Sequence, residues 1–400
     1  MQPAAAAPAL PVPPAEPTAA GSTRALMAGN FAIGCGVMVV AGSLNDLSSA
    51  LRVAPAVAGQ LITAGAVAMA IGAPLLAAAL GGWDRRRLLS LALVWYAVGH
   101  LAAALAPDFN ALLPLRVLGV LGAAVFTPQA AATIYVLAPV AHRGRAMTQV
   151  FMGWSLASVL GMPLASFVAE TSGWRWAFGG VALLSALAAL FVWRSVPRGV
   201  RPPALSLGSW RSVFGSPLLM AVVAVTALSA AGQFTLFSYQ APYYRQVLGA
   251  SPGAVSFLFF WFGAFGLAGN LLLTRQIDRH GPARCVNVSL ALMAMSLALW
   301  PLAHGVAAMA LVLVPWGLGI FTGNSAQQAR LSQSSPALAP ALLALNTSAI
   351  YAGQAIGAGG GGVLLAGNGF ASLAGAGLAW LLLALGVSSW AAWRMKGRHA

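Results

Sequence analysis

Gly81-Gly82-Trp83-Asp84-Arg85-Arg86-Arg87 sets three consecutive cations between two long stretches that carry no charge at all. No Asp, Glu, Lys or Arg lies between Arg52 and Asp84 on one side, or between Arg87 and Asp108 on the other. Each stretch supplies the roughly 20 apolar residues that a bilayer core about 30 Å thick demands of a helix. Basic clusters return along the chain at every second gap between apolar runs. This alternation is the positive-inside pattern of a multi-pass membrane protein, and it sets both span number and orientation.

Composition leads to the same class. Hydrophobic residues make up 60% of the 400, charged residues 7%, and the mean hydropathy is +0.83. A water-soluble domain carries about a quarter charged residues, so a chain with so few cannot cover a soluble surface. Twelve segments are long and apolar enough to cross a membrane, near 25–43, 56–80, 88–106, 111–137, 146–168, 176–194, 217–240, 254–274, 285–303, 307–329, 341–365 and 370–393. The fold class this predicts is all-α, with twelve transmembrane helices.

The cations fall on this map unevenly. One set of gaps and tails holds 17 of them, including Arg24, Arg143, Arg145, Arg194, Arg198, Arg201, Arg211, Arg330 and Arg394; the other holds Arg52, Arg175 and Arg245; Arg116 is left inside a span. Both termini are therefore expected in the cytoplasm, in a bacterial-type inner membrane. The net charge of +15 is spread over short loops at helix ends rather than gathered on one face. It reads as topology and contact with anionic membrane lipids, not as a nucleic-acid surface.

Residues 1–24, rich in Ala and Pro and without the apolar core of a cleavable signal, read as a disordered cytoplasmic tail. A polar linker over 196–216, with Pro197, Pro202, Pro203 and several Arg, separates a six-helix bundle over 25–195 from a second over 217–394. Residues 395–400 form a second short tail. Two pseudo-symmetric bundles related by an axis along the membrane normal are the natural architecture. Cys35 and Cys285 sit in different halves, and a disulfide between them is not expected. A weak repeat runs between the halves: Asp84-Arg85 after the second span is matched by Asp278-Arg279 after the eighth. Loop charge alone can also produce such a match.

Four further stretches have a family character: Ala58-Gly59-Gln60-Leu61-Ile62-Thr63-Ala64, Arg143-Gly144-Arg145-Ala146-Met147, Gly173-Trp174-Arg175-Trp176-Ala177-Phe178, and Leu345-Asn346-Thr347-Ser348 followed by Gly353-Gln354-Ala355-Ile356-Gly357. Over about residues 25–395 the chain resembles the major facilitator superfamily, within it the twelve-helix drug and metabolite proton antiporters similar to arabinose efflux permeases. The resemblance implies alternating access and export of a small organic molecule in exchange for protons. It also implies a conformational latch on the cytoplasmic side, for which Gly269, Asp278, Arg279, Gly281 and Arg284 match the family's loop motif. In the first half the family spacing from Gly72 reaches Gly81, and the Asp comes three residues later as Asp84. A latch of Asp84 with Arg85 would need a different geometry.

Arg116 is the strongest single candidate. An Arg within a span costs at least about 2.5 to 3.5 kcal/mol and normally faces a cavity or partner. Leu115-Arg116-Val117-Leu118-Gly119 resembles the family's fourth-helix motif, whose Arg is implied in proton coupling and substrate binding. Snorkelling toward the nearer membrane face is the alternative. The first span, Phe31 to Gly42, has no carboxylate, which leaves a facilitator or importer open. His100 in the third span reads as a titrating group or a packing residue. Gly153 to Pro163 in the fifth span partly matches the family's antiporter motif, and ordinary helix packing explains it as well.

Counting each span to its midpoint places Trp154, Ser158, Gln233, Phe237, Trp261, Trp316, Tyr351 and Gln354 near mid-depth. This is an aromatic and amide-rich set suited to lining a cavity for flat or apolar substrates. No Gly-Lys-Ser or Gly-Lys-Thr loop is present, so no nucleotide or other cofactor is expected. Nor is there a cluster of His, Asp or Glu of the kind a membrane enzyme or sensor needs. The chain reads as a monomer, and as a transporter rather than an enzyme. The charge asymmetry makes a direct prediction: a reporter fused after Ala400 is cytoplasmic and one inserted near Asn110 is on the opposite side. Both reporters on one side would overturn the map.

Overall fold

A computed structural model describes residues 16–139, 143–201 and 207–396. Twelve helices in it are long and apolar enough to cross a membrane. These are α1 (Ala20–Gly42), α2 (Pro55–Ala79), α3 (Arg85–Ala104), α4 (Phe109–Leu137), α5 (Ala146–Ser172), α6 (Trp174–Ser195), α7 (Pro217–Gln246), α8 (Pro252–Leu272), α9 (Pro282–Leu302), α10 (Val306–Ser334), α11 (Ala341–Asn368) and α12 (Ala371–Met395). Each coincides with one of the twelve expected segments. We call the side where α1 begins and α12 ends the terminus face.

Helix starts follow from local chemistry. Asp84 and Asp108 accept the Arg87 and Ala111 amides and cap α3 and α4; Ser216 and Ser251 do the same for α7 and α8, each followed by a proline at the first helical position. These caps satisfy amides that have no carbonyl within the helix. The helix of α1 already begins at Glu16, so the end of the stretch read as tail extends the first helix, where the Ser22 hydroxyl donates to the Ser195 carbonyl. The rest of that tail, residues 1–15, lies outside the described residues. The linker likewise contains a short helix, Leu207–Phe214.

Helices in lipid gain little from the hydrophobic effect among themselves, so they are held by close approach and interhelical hydrogen bonds. Both devices are visible. In the first half, the Asn30 amide donates to the Val150 carbonyl and its oxygen accepts the Thr127 hydroxyl, tying α1, α4 and α5. In the second half, Thr226 donates to Asn346 and Gln327 donates to the Val222 carbonyl, tying α7, α10 and α11, the corresponding helices.

Glycines mark the closest crossings. A Cβ on Gly263 of α8 would lie 2.7 Å from the Ser158 carbonyl of α5, and one on Gly359 of α11 would lie 3.1 Å from Thr63 of α2. The run Gly357 to Gly362 is helix throughout, packed on α7 and α2. These close crossings between the halves lie at mid-depth or toward the opposite face. In α5 the regular ladder opens into a π turn, Ala157–Gly161, just before Pro163. Proline lacks the N–H and crowds the preceding turn, and a wider turn relieves that clash.

Gly361→Val therefore drives a branched side chain into the Thr235 carbonyl, 2.5 Å from where its Cβ falls, and is expected to cost about 1–3 kcal/mol or more. Gly375→Ala, with nothing within 4 Å, is expected to leave thermal unfolding in detergent unchanged. Equal melting of the two variants would mean that α11 does not sit against α7 as described.

Candidate functional site

Arg116 lies seven residues into α4, about 10 Å along the helix at 1.5 Å per residue, and is 4% exposed. Its Nη1 donates to His100 Nε2 at 2.9 Å and its Nη2 to the Val37 carbonyl at 3.4 Å. Its Nε has no partner and points toward α2, where a Cβ on Gly65 would lie 3.9 Å away. Arginine has only donors, so His100 Nε2 must be the acceptor. The ring proton is then on Nδ1, donated to the Tyr96 carbonyl at 2.9 Å. The Tyr96 hydroxyl donates in turn to the Ile33 carbonyl at 3.1 Å.

The elements explain this arrangement. Tyr96 and His100 are one turn apart on α3, so both face α1; Gly36 on α1 leaves room for them, since a Cβ there would lie 2.8 Å from His100 Nε2. Phe178 of α6 closes the far side of the imidazole at 5.9 Å. Gly99, Ala103, Leu115 and Gly119 complete the walls of a cleft over the pair, too narrow to admit a water molecule. A dry cation is thus held by neutral acceptors alone. No carboxylate bonds to Arg116 among the described residues.

Packing does not require this polarity. On α4, a Cβ on Gly122 would meet the Ala92 carbonyl and Tyr96 of α3; on α10, a Cβ on Gly319 would meet the Ser289 carbonyl and Met293 of α9. The two sets are related by one shift of 197 positions (122 to 319, 92 to 289, 96 to 293). The same shift carries His100 to Leu297 and Arg116 to Leu313, both fully buried.

The loop residues divide differently. Asp84 Oδ1 accepts the Arg87 amide and its Oδ2 the Gly199 amide, while the Arg85 amide donates to the Val200 carbonyl. Asp84 thus caps α3 and ties it to the chain leaving α6. Arg85 is buried and donates to the carbonyls of Gly81 at 3.1 Å, Leu80 and Trp83. Gly281, at φ +76°, is the residue before α9 in the second half; the 197-residue register matches it to Asp84, and Asp278 to Gly81. The side chain of Asp278 lies outside the described residues. Arg279 and Arg284 are exposed, and a Cβ on Gly269 would strike the backbone of Leu318 of α10.

Of the residues expected near mid-depth, Phe237 and Trp316 come together at 6.4 Å, joined by Phe262 and Trp300 in an aromatic cluster inside the second bundle. Trp261 donates to the Ala310 carbonyl at 2.9 Å. Ser158, Tyr351 and Gln354 are buried. Trp154 and Gln233 are half-buried, with the Gln233 amide donating back to Ser229 of its own helix.

Three features go beyond the sequence reading. Arg330 is buried and donates to the hydroxyl and carbonyl of Ser388. Asp46, in the short helix Leu44–Ala50, accepts the Trp174 amide at 2.6 Å; burial pushes its carboxyl above the usual range, against the pull of that amide and of Arg175. Glu170 of α5 pairs with Arg245 of α7.

The sequence profile of the Major Facilitator Superfamily matches residues 26–358. The chain belongs to that superfamily and is a multi-pass transporter of the inner membrane. It is 29% identical over 342 residues to the inner membrane transport protein YdhP of Escherichia coli K12, covering 86% of this chain and 88% of YdhP. It is 27% identical to a probable sugar efflux transporter of Helicobacter acinonychis, with the same coverage. The crystal structure of a D-xylose-proton symporter superimposes with a TM-score of 0.72 at 19% identity, covering 92% of this chain and 96% of the symporter. That likeness concerns the fold.

The loop geometry makes its own prediction. Asp84→Ala removes the cap of α3, worth about 0.5–2 kcal/mol, and frees the segment after α6. Limited proteolysis between Arg198 and Arg211 is expected to speed up in this variant and not in Asp108→Ala, which uncaps α4 at the other face. Equal cleavage would show that Asp84 does not hold the linker.

Proposed function

We propose that the protein exports a small organic molecule from the cytoplasm by proton antiport, alternating between inward-facing and outward-facing states, with Arg116 and His100 as the proton-linked pair. The observation that carries this reading is the buried hydrogen bond between them, in a position the second half fills with leucines. While His100 is neutral it accepts from Arg116. A proton arriving on Nε2 removes the acceptor and leaves two cations 2.9 Å apart in a dry site, where like charges repel strongly. Protonation and the present position of Arg116 therefore exclude each other. Arg116 must swing toward a cavity, a substrate or water when His100 is charged, and a proton is thereby coupled to a movement of α4 against α3. Relatives named for sugar efflux support export and place sugars first among the substrate classes to test.

The loop charges fit a cytoplasmic terminus face, and the crossings at mid-depth and toward the opposite face fit a state open to the cytoplasm. A facilitator on the same fold is the second reading, favoured by the lack of a carboxylate between Phe31 and Gly42.

Counterflow of labelled L-arabinose in proteoliposomes, with a pH dye inside, tests both readings. Exchange accompanied by proton movement is expected for the parent; exchange with no proton signal would establish the facilitator. Arg116→Lys is expected to lose at least about tenfold in exchange, because a lysine lacks the planar fork that spans His100 and Val37. The double variant His100→Leu, Arg116→Leu copies the second half. It is expected to insert and melt like the parent and to lose exchange. Full exchange in that variant would return Arg116 to packing.

A further inference from the structure

Glu170 and Arg245 form the one ion pair found among the described residues, and it joins the two halves. Glu170 lies at the end of α5 opposite the terminus face, and Arg245 at the same end of α7. Glu170 Oε2 stands 3.7 Å from Arg245 Nε; the Glu170 side chain is 5% exposed and that of Arg245 35%. The second carboxylate oxygen, Oε1, is buried without a hydrogen-bond partner. Arg245 is oriented by its own donation to the Ala250 carbonyl.

The surroundings leave Glu170 poorly compensated. Asp46 faces it from the short helix Leu44–Ala50, adding a second negative charge nearby. Arg175, on α6, is drawn off by the Ala106 carbonyl at 2.9 Å and by the face of Trp174 at 4.5 Å. The adjoining stretches of α1 (37–42) and α8 (252–262) carry no charged side chain. On α7, Tyr243 and Tyr244 turn into the aromatic cluster around Trp300. A single part-exposed cation thus holds a buried carboxylate, and this ionic tie between the halves depends on that carboxylate staying ionised.

We propose that the Glu170–Arg245 pair is a proton-released gate: ionised, it fastens the two halves at the face opposite the termini, and a proton taken up on Oε1 neutralises Glu170, frees Arg245 to solvent and lets that face open. The proton comes from the solution on that side and returns to it when the halves close. This rests on the alternating-access reading above, but it adds a second ionisable site, on the seam rather than inside one bundle. A neutral acid keeps only weak hydrogen bonding to Arg245, whereas the ionised pair has a charge-assisted contact partly shielded from water.

The gate is tested by pulsed spin-label distances between Ala50→Cys and Asn368→Cys, both exposed at this face on opposite halves, in a background with Cys35→Ser and Cys285→Ser. The measurement needs no substrate. In the parent, a short distance is expected to dominate at pH 8, and a longer one to grow as the pH falls toward 5. Glu170→Gln, which mimics the protonated acid, is expected to raise the longer population at pH 8 at least about tenfold and to abolish its pH dependence. Arg245→Gln is expected to open the face similarly. The exchanged pair Glu170→Arg, Arg245→Glu is expected to restore the short distance at pH 8, which separates lost pairing from lost folding.

A longer population that is the same in the parent and Glu170→Gln, or an exchanged pair no more closed than the single variants, overturns the gate while leaving alternating access intact. A longer distance absent from every variant at every pH overturns both.

Discussion

The hydrocarbon layer offers no hydrogen bonds, and the structure is organised by that lack. Every backbone group within it must be satisfied by its own helix, so helices can only be joined by side chains that reach across or by backbones that come very close. Asn30, Thr127, Thr226, Asn346 and Gln327 supply the first kind of join. Gly263 and Gly361 supply the second. The same constraint makes Arg116 conspicuous: its guanidinium sits where water does not reach, and must take its bonds from whatever neutral acceptors the neighbouring helices offer. His100 and the Val37 carbonyl are those acceptors, and Gly36 is small because Tyr96 and His100 occupy the space where its Cβ would fall.

Much of the fold was legible because span length and loop charge are one-dimensional properties. Twelve apolar runs and the clusters around Arg85 carry them without any knowledge of packing. Arg116 was legible for the same reason, as the one cation lying inside an expected span rather than at its end. Its partner was not: His100 is 16 residues away across the α3–α4 turn, and only the register of two antiparallel helices brings the residues together. Depth can be counted along a helix but azimuth cannot, which is why Trp316 and Phe237, expected near mid-depth, lie in a closed cluster inside the second bundle. Pro163 follows a break in regular helix. That the break takes the form of a π turn depends on how α5 meets α1 and α8.

The acids at the opposite face illustrate a subtler limit. Asp46, Asp108 and Glu170 look alike in sequence, each near the end of a span. Asp108 does only the local work of capping α4. Asp46 reaches across to the first amide of α6, more than a hundred residues away, while Glu170 crosses to the other half. Hydropathy assigns all three to a membrane edge, and their different tasks arise only from local capping, from packing within the first bundle and from the meeting of the two bundles respectively.

The comparison of halves separates structure from function most sharply. A repeat that places Gly122 and Gly319 in equivalent contacts shows that one packing solution serves both bundles, and Leu297 and Leu313 show that it works with hydrocarbon in place of His100 and Arg116. A buried cation costs free energy that leucine does not, so its presence in one half needs a cause other than packing. The seam reinforces the point. Glu170 also belongs to the first half, and Arg245 reaches it from the second at the edge of a large aromatic mass. In the membrane half away from the termini, the first bundle thus holds the buried Arg116–His100 pair and the buried Glu170 carboxylate, while the second contributes Arg245 beside its aromatic cluster. The two sites differ in how they are built: the Arg116–His100 bond lies within one bundle, whereas the Glu170–Arg245 pair spans both, so a movement between the bundles strains the second directly and the first only through the helices that carry it.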